Sequence, residues 1–192
     1  MNLIIKIAYD IFFLILMSLG VYAQNGNKVI ILYKTGTEFS DGKPSLSFDC
    51  NSKNKILLND FFGEKYITVK QGDSRFKVLK SSIYGYQTCN KQLFRFFNKK
   101  ELLLLNKEEE ILIYNHLVAK PPTGRTNVTN YYFSVGKEGE VQSLTIKKLK
   151  AAFSNNEKFK SLIDNNFKYN TDLAVYDQTN RMYKINWLLK QT

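Results

Sequence analysis

The sequence predicts an α+β protein in which a β-rich N-terminal half, built from antiparallel hairpins, precedes a helical C-terminal tail. Short apolar, β-branched and aromatic runs alternate with Gly, Asn, Asp and Ser clusters up to residue 143, as in hairpin-rich sheets. After Leu144 the apolar residues recur at helical spacing instead. The length suits one domain, with residues 24–119 forming a β-rich region and residues 120–192 a β-hairpin plus helical region continuous with it.

Strands are expected wherever a short apolar run is bounded by turn residues. Residues 35–54 are rich in Gly, Ser, Asp and Asn and are predicted to be a loop with one short strand. Residues 101–105 are apolar but too short to assign. The predicted strands are 29–33, 46–48, 55–58, 66–69, 76–79, 82–86, 93–97, 111–114, 130–135 and 140–143.

Two helices are predicted next. Ile146, Leu149 and Phe153 fall on one helical face. Residues 154–157 match a capping box, so a second helix should begin at Ser154 and carry an apolar face through Phe167. Residues 172–189 fit either an alternating strand or a helical stripe, and we favour the helix.

Residues 1–23 are predicted to be a signal peptide. Lys6 precedes an apolar run at 11–17, and Val21 and Ala23 are small enough for signal peptidase. The alternative is an uncleaved membrane anchor, but Lys6 and Asp10 shorten the apolar stretch below the roughly 20 residues a spanning helix needs. We therefore expect an exported protein, in the periplasm, outer envelope or extracellular space, with no transmembrane helix after cleavage.

The chain is strongly basic. Lys and Arg number 28 against 17 Asp and Glu, which gives a net charge of +11. Such a charge favours an anionic partner. Lysines predominate, whereas phosphate recognition tends to use arginine forks, so we favour a solvated lysine-rich surface over an anionic partner. We expect no nucleic-acid partner.

The cysteines and the histidine limit the possible chemistry. Cys50 and Cys89 are the two cysteines, and in an oxidising compartment they are expected to form a disulfide. A bridged cysteine cannot act as a nucleophile with His116, the lone histidine, and no serine nucleophile elbow occurs. We accordingly assign no catalytic residue, metal ligand or cofactor. A hydrolase built on two carboxylates is the enzyme class that sequence excludes least.

A basic cluster is interleaved with aromatic residues at 91–100. Lys91, Arg95, Lys99 and Lys100 surround Phe94, Phe96 and Phe97. This mixture can mark a polyanion-binding platform. On a strand, however, Arg95 would point away from Phe94 and Phe96, so we favour a sheet with aromatic residues on its inner face and charges on its outer face. These four basic residues are the candidate binding residues.

Two stretches resemble small exported proteins of Gram-negative bacteria. They are Ser82-Ile83-Tyr84-Gly85-Tyr86 followed by Phe94-Arg95-Phe96, and a tail that includes Leu144-Thr145, Tyr176-Asp177 and Tyr183-Lys184-Ile185-Asn186. The resemblance implies an envelope location and carries no active site with it.

These observations lead to three functional expectations. The first is a non-enzymatic secreted or periplasmic protein that binds an unidentified ligand or an envelope protein. The second is a binder of anionic envelope polymers or lipid headgroups, and the third is a small carboxylate-dependent hydrolase. The absence of a recognisable catalytic set makes an enzyme the less favoured class.

Overall fold

A computed structural model describes residues 28–51, 53–58, 65–117 and 129–192 of the chain. The predicted signal peptide and the Pro-rich boundary near residue 120 lie outside the described residues. The described strands are β1 Val29–Tyr33, β2 Leu46–Asp49, β3 Lys55–Leu57, β4 Tyr66–Gln71, β5 Ser74–Leu79, β6 Gly85–Gln87, β7 Leu93–Phe97, β8 Lys100–Leu104, β9 Ile111–Leu117, β10 Thr129–Val135, β11 Gln142–Ser143, β12 Tyr176–Asp177 and β13 Met182–Tyr183. The described α-helices are α1 Gly36–Asp41, α2 Ile146–Ala152, α3 Glu157–Asn166 and α4 Lys184–Leu189.

The predicted α+β class is confirmed. Eight strands form one antiparallel sheet in the order β11-β10-β9-β8-β7-β6-β1-β2. A separate antiparallel sheet has the order β3-β4-β5, and β12 and β13 pair as a small ribbon. Helices α2, α3 and α4 follow the large sheet in sequence, as the change of period at Leu144 predicts.

The C-terminal helices pack on the β9–β10 part of the large sheet. Phe133, Phe159 and Ile163 are fully buried there in one apolar cluster. Asn186 in α4 is buried, and its side chain accepts a hydrogen bond from Ile111 N and donates one to Ile111 O, each at 2.9 Å. This amide pairs with the start of β9 as a neighbouring strand would, so it fixes α4 against the sheet.

A second apolar cluster holds the three-stranded sheet against the N-terminal strands. Ile67 and Val69 of β4 are fully buried and pack with Ile30, Phe48 and Tyr86. The disulfide lies beside this cluster. Cys50 and Cys89, each just beyond the end of a strand, have Sγ atoms 2.08 Å apart. In the chain-entropy model, closing a loop of this length stabilises the fold by roughly 4 kcal/mol.

Three local predictions are wrong. Residues 35–54 are not simply a loop with one strand, because α1 occupies Gly36–Asp41. The second tail helix begins after Asn156, whose side chain accepts from Phe159 N at 2.9 Å, and not at Ser154. The disputed segment 172–189 is neither one helix nor one strand, since a 3-10 turn, the β12–β13 ribbon and α4 share it.

The ambiguous residues 101–105 fall on a strand, β8. Its register places Leu103 opposite Phe94 in β7 and Asn115 in β9. Leu102 is fully buried. This short apolar run therefore forms a strand because it pairs with β7 on one side and with β9 on the other.

Candidate functional site

The three-stranded sheet has one apolar face and one basic face. Successive side chains of a strand point to opposite faces. Ile56, Val69 and Val78 lie on the face that packs against the second cluster. The opposite face, which we call the basic face, carries the residues of the other parity: Lys55, Leu57, Tyr66, Thr68, Lys70, Arg75, Lys77 and Leu79.

Strand register brings three cations into one row across the basic face. Lys70 pairs with Lys55 on one side and with Arg75 on the other. Directly opposed residues in antiparallel strands have Cβ atoms about 4.5–5.5 Å apart. Lys77 lies one row along, opposite Thr68. Lys55, Arg75 and Lys77 are exposed and Lys70 is half-buried, so four cations share one small face.

These four cations have no carboxylate partner among the described residues. The ion pairs described elsewhere in the chain are Lys107–Glu108, Lys150–Asp164 and Lys160–Glu157. On the basic face, the Lys77 ammonium instead lies 5.9 Å from the centre of the Tyr66 ring. Like charges placed directly opposite each other destabilise a sheet. The row is therefore an electrostatic feature that the fold itself does not neutralise within its described part.

Local turn chemistry sets this arrangement. Gly72 adopts a left-handed φ of 60° in the two-residue connection between Gln71 and Ser74. Its N–H donates to Asn54 Oδ1 at 2.8 Å, and Asn54 Nδ2 donates to Asp49 O at 2.8 Å. These bonds tie the hairpin turn to the chain that leads from β2 into β3, which holds Lys55 beside Lys70.

A cavity of about 550 Å³ adjoins the far end of the basic face. Leu79 belongs to both, and the Asn98-Lys99 turn between β7 and β8 forms another wall. Lys65 and Lys99 are exposed at its surface, whereas Lys80 is buried. The described lining residues are three lysines, two other polar residues and four apolar residues: Lys65, Leu79, Lys80, Ser81, Ile83, Phe96, Phe97, Asn98 and Lys99.

The four predicted binding residues are not gathered into one patch. Lys91 and Lys99 lie in the turns at opposite ends of β7, which at about 3.4 Å per residue separates them by more than about 13 Å. Lys100 donates to Tyr132 Oη at 3.0 Å. Of the four, Lys99 lines the large cavity. A binding role for the set stays a prediction.

Arg95 points into the protein, on the face opposite Phe94 and Phe96. Its guanidinium lies 4.5 Å from the centre of the Tyr84 ring and donates to Tyr114 Oη at 3.2 Å and Gly139 O at 2.9 Å. The Tyr84 hydroxyl donates to Lys137 O. Burial raises the pKa of the Tyr84 phenol. Arg95 and Tyr84 thus hold the loop that follows β10, so their role is structural.

The cysteines and His116 do not form a nucleophilic pair. Both Sγ atoms lie at disulfide distance from each other, so neither is a thiolate. His116 Nδ1 lies 3.1 Å from the Glu101 carbonyl oxygen. Among the described residues, no three His, Cys, Asp or Glu side chains come together as a metal site would require.

Two carboxylates, Asp41 and Glu108, line a smaller depression of about 250 Å³. Both are exposed, and Glu108 pairs with Lys107 at 3.6 Å. A general acid in a glycosidase requires a carboxyl whose charged form is disfavoured by burial. This depression does not provide that environment.

Sequence reasoning missed the row of cations, although part of its signal was present. With the turn at Gly72, counting outward along the hairpin places Lys70 opposite Arg75 and Thr68 opposite Lys77. The pairing of Lys55 with Lys70 has no such local rule, because residues 59–64 between β3 and β4 contain no short turn signature that fixes a register.

Comparisons of the chain with protein-family models, with curated proteins and with solved structures find no match. The resemblance to small exported bacterial proteins therefore stays a prediction. No helix in the described part of the chain has the length and apolar character to cross a membrane. The disulfide is compatible with an oxidising, exported location.

Proposed function

We propose that this chain is a non-enzymatic binding protein of the exported space that holds an anionic partner against the basic face. The observation that carries the proposal is the row of Lys55, Lys70 and Arg75 across three neighbouring strands. Their pairing supports a surface built for negative charge, because the chain as a whole is basic but the row concentrates that charge at one place.

The row contains two like-charge pairs, Lys55–Lys70 and Lys70–Arg75. Each opposed pair destabilises a sheet by a few tenths of a kcal/mol up to about 1 kcal/mol relative to neutral residues. An anion that bridges neighbouring cations would offset this repulsion and gain charge-assisted hydrogen bonds. A solvated lysine surface, by contrast, would gain nothing from placing its cations in register.

The exported location rests on two independent features. Residues 1–23 have the organisation of a signal peptide. The Cys50–Cys89 pair is the kind of bridge that persists in oxidising compartments. The candidate partner is consequently an anionic component of the cell envelope, since such polymers and headgroups are what an exported basic surface would meet.

Heparin chromatography tests this proposal with charge-matched variants. The triple variant Lys55→Gln, Lys70→Gln, Arg75→Gln should elute at a clearly lower salt concentration than the unmodified protein. The control is Lys147→Gln, Lys148→Gln, Lys168→Gln, which removes the same charge from exposed positions of the helical tail. The control should elute near the unmodified protein.

Two outcomes would contradict the proposal. Equal losses in both triple variants would mean that net charge alone drives retention. No retention of the unmodified protein at about 0.1 M salt, where the screening length is roughly 10 Å, would mean that the basic face holds no polyanion under ordinary conditions.

A further inference from the structure

We propose that the anionic partner is a phospholipid membrane surface, with the basic face lying on the headgroups and the adjoining cavity taking part of one lipid. This inference rests on the proposed function and specifies its ligand. It is carried by the placement of exposed apolar side chains and the large cavity at one end of the cationic rows.

The basic face changes character along its strands. The row of Lys55, Lys70 and Arg75 lies at one end, and the paired Tyr66 and Leu79 lie at the other. Four residues of strand separate the two ends, which is about 13–14 Å. Tyr66 is 39% exposed and Leu79 is 40% exposed, so both are available to a partner.

The cavity continues the apolar end of the face. Leu79 lies on the face and in the cavity wall, and Ile83, Phe96 and Phe97 supply further apolar lining. Lys65 and Lys99 are exposed on the same cavity. Its volume of about 550 Å³ falls within the range of small-molecule sites, roughly 300–1,000 Å³.

A lipid matches this combination better than a soluble polyanion does. A headgroup phosphate meets lysines, and the start of an acyl chain meets apolar side chains, whereas an acidic polysaccharide has no apolar part to place beside Leu79. Tyrosine is also enriched at the level of membrane headgroups, where its ring is apolar and its hydroxyl is wet. Basic residues near the surface add attraction to anionic lipids.

Vesicle co-sedimentation tests the inference, in about 0.15 M salt so that long-range attraction is screened. The unmodified protein should sediment with vesicles of equal parts phosphatidylglycerol and phosphatidylcholine, and not with phosphatidylcholine alone. The variant Tyr66→Ser, Leu79→Ser should bind the anionic vesicles about tenfold more weakly or worse, because two apolar side chains no longer leave water. Its retention on heparin should be unchanged.

The matched control is Tyr169→Ser, Val175→Ser, which removes a more exposed tyrosine and a more exposed aliphatic residue from the helical tail. It should bind anionic vesicles like the unmodified protein, and circular dichroism should report the same fold for every variant. Equal vesicle binding by the Tyr66, Leu79 variant, or binding to heparin but not to anionic vesicles, would overturn the lipid assignment and leave the proposed function standing. If the unmodified protein binds neither heparin nor anionic vesicles, the proposed function itself is overturned.

Discussion

Lys70 occupies the most repulsive position on the basic face. It is half-buried, and its strand partners are Lys55 on one side and Arg75 on the other. Lys70 cannot move to the other face, because a one-residue slip of β4 would also expose Ile67 and Val69. The repulsion is consequently built into the core packing.

Replacement of Lys70 should change stability and binding in opposite directions. Lys70→Gln should raise the free energy of unfolding by about 0.5 kcal/mol, since it removes both like-charge pairs, and should also weaken heparin retention. Urea denaturation and chromatography measure the two effects. Lys147→Gln is the control, and it should change neither quantity appreciably. A Lys70→Gln protein that is less stable than the unmodified protein would contradict the account of the row.

Tyr84 should make the stability of the fold sensitive to alkaline pH. Its pKa lies above the ordinary value of 10.0 because burial disfavours the phenolate. The folded state therefore binds more protons than the unfolded state above pH 10, so this contribution is complete below pH 10 and is lost as the pH rises through the folded-state pKa.

Tyr84→Phe tests that contribution. At neutral pH the variant should be less stable by about 1 kcal/mol, because Lys137 O loses its hydrogen bond. Between about pH 8 and pH 11 its unfolding free energy should fall less steeply than that of the unmodified protein. Urea titrations followed by circular dichroism at the two pH values measure this difference. Parallel losses in both proteins would show that Tyr84 is not the responsible group.

At the scale of elements, hairpins were the most predictable part of the chain. The β4–β5 and β10–β11 pairs join strands predicted from short runs on either side of a turn, and Gly72 and Gly136 take a left-handed φ in those turns. Helix α1 was missed because its six residues carry no apolar period. Its signal was Thr35-x-x-Glu38, where Thr35 Oγ1 accepts from Glu38 N and Glu38 Oε2 accepts from Lys34 N.

The tail shows why the remaining elements were harder to predict. Residues 172–189 contain both a two-fold and a helical apolar pattern, and tertiary packing divides them between the β12–β13 ribbon and α4. The same limit applies to the candidate site. Arg95 is held by Tyr84 and Gly139, and Lys55 meets Lys70, through contacts that depend on long-range register and not on local sequence.

The start of α3 gives an element-scale prediction with an internal control. Asn156→Ala should lower the free energy of unfolding by about 1 kcal/mol, because the Phe159 N–H loses its capping acceptor. Ser154→Ala should change it by less than about 0.5 kcal/mol, since Ser154 lies outside the helix and is exposed. Thermal or urea denaturation measures both. A larger effect at Ser154 than at Asn156 would indicate that Ser154 caps α3, as the sequence pattern predicted.

At the scale of the molecule, the helical tail and the basic face lie on different parts of the fold. The helical tail covers the β9–β10 end of the large sheet, whereas the basic face belongs to the separate three-stranded sheet packed near β1 and β2. The disulfide joins the chain just after β2 to the turn after β6, which braces the strands beside the basic face. The division of the chain at residues 119 and 120 stays a prediction, because that boundary lies outside the described residues.

The central claim is that negative charge is bound on the basic face and not by the chain's charge in general. The most direct measurement is a heteronuclear NMR titration of the protein with a short heparin fragment. We predict that the largest amide shifts fall on β3, β4 and β5 and centre on Lys55, Lys70 and Arg75. Shifts spread evenly over the exposed lysines, or centred on α2 and α3, would contradict the account.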